Sequence, residues 1–146
     1  MDRIDRAIID QLRRDGRQSN TELADRVGLT PSPCLRRVRR LEDDGVILGY
    51  HARVDLAALG RGFEVHVELE LANQTQRTFE EFESALVALD EVVEARRMFG
   101  APDYIALVAV ADVAAYEQFM TQRLATLPGL GKLQSRFAMK TLKADR

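Results

Sequence analysis

Nine residues of strict alternation constrain this chain more than any other stretch of it. Phe63, Val65, Val67, Leu69 and Leu71 are separated by Glu64, His66, Glu68 and Glu70. A period of two puts the apolar set on one face and the polar set on the other, so residues 63–71 read as a strand of a sheet with one buried face. Such a sheet needs partner strands and a layer over its apolar side. Residues 72–146 supply both. Thr78 and Glu81 read as a capping box, and Phe79, Phe82, Leu86 and Leu89 continue as a helical stripe. Val92 to Phe99 reads as a second strand, Gly100-Ala101-Pro102-Asp103 as a tight turn, and Tyr104 to Val110 as a third strand, apolar on both sides as a sheet interior is. Asp112 caps a helix carrying Tyr116, Phe119, Met120, Leu124 and Leu127, which Pro128-Gly129 breaks. Leu133 to Leu142 is read as the last strand, with a short charged tail behind it. The order β-α-β-β-α-β is the ferredoxin-like signature.

The residues before this unit have the other periodicity. Ile4, Ile8 and Leu12 recur at helical spacing behind Asp2 and Asp5, and Asp15-Gly16 ends the run. Ser19 and Glu22 form a capping box for a short second helix with Leu23, Ala24 and Val27 on its apolar side, and Gly28 stops it. Thr30 then caps a third helix with Pro31 at its first position, and Gly45 ends it. Val46 to Val54 reads as a β pair or hinge. The chain is therefore expected to be α+β. A three-helix winged or helix-turn-helix domain with a β hinge takes residues 1–55. A ferredoxin-like domain takes residues 56–146, the boundary falling within Asp55 to Gly62.

Charge divides the same way. The whole chain carries −2, yet residues 1–54 hold eleven arginines against nine carboxylates, a net of +2, and residues 55–146 a net of −4. DNA meets one face of a protein and not its average. Four arginines fall in five residues of the third helix. On a wheel centred on Val38, Leu35 and Leu41 lie about 60° to either side, Pro33, Arg36 and Arg40 fall opposite, and Arg37 and Arg39 flank. Outward arginines neutralise phosphates and fork onto guanine edges. Placed after a short helix and a glycine turn, they match the geometry of a helix-turn-helix. The candidate DNA-contacting residues are Thr30, Ser32, Pro33, Arg36, Arg37 and Arg40.

The stretch ELADRVGLTPSPCLRRVRRLEDDGVILGYHARVD resembles the helix-turn-helix and hinge of the Lrp/AsnC (feast/famine) regulators. FGAPDY, SRFAMKTLK and the βαββαβ order resemble their C-terminal RAM domain. The resemblance runs from about Asp2 to Lys143. It implies a transcription regulator that responds to an amino acid or related metabolite, forms dimers through both halves and assembles further, often into octamers. It implies an effector pocket between RAM domains of neighbouring dimers, at the turn between the second and third strands. Here that turn is Phe99, Gly100, Ala101, Pro102 and Asp103, with Ser135 matching a small hydroxyl residue of the final strand. Two departures stand out. Phe99 replaces a small polar residue, commonly Thr, and Ala101 replaces a polar or acidic one, so both changes make the pocket less polar.

Other classes leave weaker traces. Cys34 is the only cysteine, and His51 and His66 the only histidines, which leaves no internal disulfide and no zinc spacing; no cofactor is expected beyond the amino-acid effector. Cys34 lies near the buried side of the third helix and reads as a structural thiol. No apolar run approaches a membrane span and the N-terminus has no signal-peptide core, so a cytoplasmic, nucleoid-associated protein is expected, with no membrane partner. An enzyme built on the ferredoxin-like half could draw on His66, Asp103 and Tyr104 as acid–base groups, but the chain has no nucleophile motif and no phosphate loop, and catalysis would leave the first 54 residues unexplained. The second alternative is an architectural protein that binds DNA independently of any ligand.

Overall fold

The computed structural model describes residues 1–142; Lys143 to Arg146, the expected charged tail, lie outside the described residues. The chain divides into two compact units, Met1–Ala52 and Arg53–Arg146.

In the first unit, α1 (Arg3–Arg14), α2 (Asn20–Val27) and α3 (Pro31–Asp43) pack around Ile8, Leu23, Ala24, Cys34 and Leu41. Each start is set locally. Asp2 caps α1 in a reciprocal box with Asp5, and Ser19 does the same for α2 with Glu22. The α2–α3 corner turns on Gly28 at φ 71, a left-handed conformation that costs a side-chain-bearing residue more than glycine. Thr30 stands at the cap of α3 but makes no side-chain capping bond; Pro31 at the first position pre-sets the backbone. The expected β hinge is absent: no strand forms over 46–54 among the described residues. Val46 and Ile47 donate their N–H groups to the Leu41 carbonyl, closing the helix end, and no other segment pairs with this stretch.

The second unit is a four-stranded antiparallel sheet in the order β2-β3-β1-β4, with β1 Phe63–Leu71, β2 Val92–Arg97, β3 Tyr104–Val110 and β4 Leu130–Phe137. Helices α4 (Gln76–Val87) and α5 (Val113–Gln122) cover one face. The alternation of β1 comes out as expected: Val65, Val67 and Leu69 are fully buried, next to Phe82, Leu86, Tyr116 and Phe119. On the other face the polar set faces β4, where Glu68 pairs with Arg136 and Glu70 with Lys132. Gly131 marks a close approach of β4 to the end of β1, where an added Cβ would stand 2.8 Å from Ala72 N. Four elements differ from expectation at a boundary. Helix α5 ends at Gln122, and Leu124 sits on a separate 3-10 turn, Leu124–Thr126, where one helix reaching Leu127 was expected. Helix α4 is capped by Thr75, whose hydroxyl accepts from Thr78 N–H, because Gln76 and Arg77 complete a first turn ahead of Thr78. Strand β2 ends at Arg97. Strand β4 begins at Leu130 and ends at Phe137, where its partner β1 stops pairing. Among the described residues no helix is long and apolar enough to cross a membrane, and no group of His, Cys, Asp and Glu could hold a metal.

Candidate functional site

Helix α3 buries a different stripe from the one centred on Val38. Cys34 and Leu41 are enclosed, Val38 is half-buried and Leu35 is exposed. The buried centre therefore lies near Cys34, about 40° round the wheel. From that centre Arg36 and Arg39 are the two arginines turned farthest out, while Arg37 sits on the flank. Neither Arg36 nor Arg39 has an ion-pair partner among the described residues, and both are exposed, as are Thr30 and Ser32. Pro33 is half-buried.

Arg37 and Arg40 are placed otherwise. Asp5 of α1 is only 1% exposed. Arg37 Nη1 reaches its Oδ1 at 2.8 Å and Asp2 Oδ2 at 2.6 Å, and Arg40 Nη2 reaches Asp5 Oδ2 at 2.8 Å. The expectation that Arg40 points outward is corrected in this respect: half of its side chain is exposed, but its tip turns back. The reason is the cost of a buried carboxylate without cations. Reading the sequence missed this cluster, although a signal was present. Asp5 falls about 60° from Ile8 on the helical wheel, inside the apolar stripe of α1, and a carboxylate there requires a cation opposite.

The Asp5 N–H, and then Arg37, hold the Asp2 carboxyl well below the ordinary 3.8, at about 2. The Asp2 N–H, with Arg37 and Arg40, lowers Asp5 too. A depressed folded value means that the stabilisation is complete above the ordinary value and is lost as pH falls through the folded one. The Asp2 contribution is thus present at neutral pH and down to about 4, and disappears towards pH 2. A carbon NMR titration of the Asp2 carboxyl checks this, and a midpoint at 3.8 would contradict the arrangement.

The turn between β2 and β3 keeps its residues together, but not with Ser135. Phe99 is fully exposed, Ala101 is exposed and Gly100 has φ 106. Pro102 is half-buried after a cis bond. Asp103 is buried and already occupied: Oδ2 accepts from Leu71 N–H at 2.7 Å and Oδ1 from Gln74 Nε2 at 2.8 Å. It ties the turn to the end of β1. Tyr104, the next residue, is buried against Phe82, and its hydroxyl donates to Glu83 Oε1; burial pushes that hydroxyl's pKa up. Ser135 lies on β4, the opposite edge of the sheet from β2, with its Oγ 2.6 Å from the Tyr116 hydroxyl. Cys34 is buried, which raises its thiol pKa. His66 is exposed on the polar side of β1.

Residues 64–146 match the Lrp/AsnC ligand binding domain and residues 1–47 a winged helix-turn-helix DNA-binding domain. The leucine-responsive regulatory proteins of Klebsiella pneumoniae and Escherichia coli K12 are each 41% identical over 98% of this chain and 87% of their own length. A transcriptional regulator from Neisseria meningitidis, solved with L-methionine, superposes with a TM-score of 0.93 at 30% identity, over 99% of this chain and 93% of that one. An AsnC-family regulator from Agrobacterium tumefaciens gives 0.90 at 35% identity, over 99% and 94%. These matches span both units and join a DNA-binding half to a ligand-binding half, an arrangement of regulators and not of enzymes. The chain belongs to the Lrp/AsnC family of transcription regulators.

Proposed function

We propose that the protein binds double-stranded DNA through the exposed N-terminal side of α3 and that an amino acid adjusts this binding from the β2–β3 turn. The observation that carries the DNA half is the pair of unpartnered, outward arginines, Arg36 and Arg39, on a helix that follows a capped helix and a left-handed glycine. Arg36 reads a base edge, Thr30, Ser32 and Pro33 meet the backbone at the helix start, and Arg37 and Arg40 support the helix from their carboxylates. One such helix offers few contacts, so useful affinity needs two half-sites held about 34 Å apart or a multiple of it, and the working unit is a homodimer that assembles further, as an octamer. The protein works in the cytoplasm, on the nucleoid.

An aliphatic amino acid is the effector class best supported. The relatives include leucine-responsive proteins and a methionine complex, and Phe99 and Ala101 leave the turn apolar. Because the Asp103 carboxylate is occupied, recognition of the ligand's charged ends falls to free backbone groups of Gly100 and Ala101. Phe99 to Pro102 and Ser135 lie on opposite edges of one sheet, so a pocket using both is completed by a second copy.

Fluorescence anisotropy on a duplex from the region upstream of the protein's own gene tests this reading. Arg36→Ala is expected to weaken specific binding by about 1–3 kcal/mol and to relax the preference at one base position. Unchanged affinity would remove α3 from the interface. Leucine and methionine added to the same assay should shift the isotherm, whereas an architectural protein would give one isotherm throughout.

A further inference from the structure

We infer that Asp5, aided by Asp2, is a specificity-determining residue for DNA recognition, because it withholds Arg37 and Arg40 from the phosphate backbone. The inference rests on the DNA-binding reading of α3. Four arginines on one short helix would, if free, act mainly as phosphate contacts, which bind every sequence alike. Here two of them are drawn towards α1. The Asp5 carboxylate is almost wholly enclosed and touches both guanidinium groups, and Asp2 adds a second anion at 2.6 Å from Arg37. A buried carboxylate holds its cations firmly, since releasing them would leave it uncompensated. Arg40 is half exposed and Arg37 one-quarter exposed, so both stay close to the surface that carries Arg36 and Arg39. Asp5 therefore acts on DNA through the arginines. It keeps recognition on the outward pair and suppresses indiscriminate binding, a device of discrimination and not of affinity.

The test measures the salt dependence of binding with the full-length chain, on a random-sequence duplex and on the upstream duplex. Each phosphate contact contributes about 0.9 to the slope of log K against log salt. Asp5→Asn keeps the shape and removes the charge. It should steepen the slope on random DNA by about 1 to 2 and lower the ratio of specific to random affinity several-fold. Asp2→Asn, at an exposed position that leaves Asp5 in place, should steepen it by about 1. Asp10→Asn changes net charge equally on the outer side of α1 and should leave the slope alone. In a chain carrying Arg37→Gln and Arg40→Gln, Asp5→Asn should have no further effect on slope, which a purely structural role would not produce. Should Asp5→Asn fail to fold, Asp2→Asn decides. Unchanged slopes in the folded variants, or an equal change with Asp10→Asn, overturn the inference while leaving the DNA-binding reading intact. Absence of salt-dependent DNA binding by the unaltered protein overturns both.

Discussion

Phe82→Ala is expected to destabilise the C-terminal unit by about 3–5 kcal/mol, the usual range for removing a buried phenyl ring. Phe82 is fully enclosed, and its ring lies 4.8 Å from that of Tyr104, centroid to centroid. Together with Leu86 it rests α4 on the sheet, in one core with Val67 and Leu69. Removing it costs the transfer of the ring and leaves a cavity that β1 and β3, locked by their ladder, cannot close. Since a domain of this size has roughly 5–15 kcal/mol to lose, the variant should stand near the edge of folding. Chemical denaturation followed through the tyrosines of this unit measures the effect as a lower midpoint with an unaltered slope. A loss below about 1 kcal/mol would mean that this ring does not seat α4 on the sheet.

Asp103→Ala is expected to cost about 2–3 kcal/mol of stability, from the loss of a charged acceptor and the stranding of Leu71 N–H. The carboxylate accepts that N–H at 2.7 Å and the Gln74 amide at 2.8 Å. Its loss unties the turn from β1 and lets Phe99 to Pro102 move. The effector response should fall as a consequence of this movement, so weakened ligand effects and lower stability should appear together. Asp103→Asn, which keeps one acceptor oxygen, should recover part of both. If Asp103→Ala loses its ligand response at undiminished stability, the carboxylate touches the ligand directly and is not a tie between the turn and β1.

Much of the fold was legible because it depends on local chemistry. The alternation of 63–71 fixed which face of β1 is buried, and β3 came out between the bounds read from its apolar run. The box at Ser19 and the cap at Asp112 needed only neighbours three residues away. What was illegible depends on partners remote in sequence. Val46 to Val54 has strand-like composition, but among the described residues nothing pairs with it, and its first N–H groups close a helix instead. Thr75 and Thr78 are equally good caps in isolation, and the residues between them decide. A wheel centred on Val38 turns Arg36 and Arg40 outward and sets Arg37 and Arg39 on the flanks; only the enclosure of Cys34 and the carboxylate of Asp5, on another helix, sort them into an outward Arg36 and Arg39 and an inward Arg37 and Arg40. The turn residues could be named, but their relation to Ser135 spans the whole width of a sheet.

A period of two is blind to slips of two: moving β4 two residues along β1 still lays apolar side chains on the buried face and charges on the open one. The ion pairs there are weak sentinels too, since Glu64, Glu68 and Glu70 of β1 can offer a carboxylate to Lys132 or Arg136 of β4 after such a slip. Gly131 breaks the degeneracy. Slid one way, Leu133 takes its place, and a Cβ there would collide with the Ala72 backbone, 2.8 Å from the nitrogen and 2.9 Å from Cα. Slid the other way, Gly131 arrives opposite Leu69, where Leu133 now packs, and leaves the helical layer short of a side chain. One residue without a side chain thus serves as the index mark of the sheet, setting by exclusion an alignment that the repeating pattern around it is unable to count.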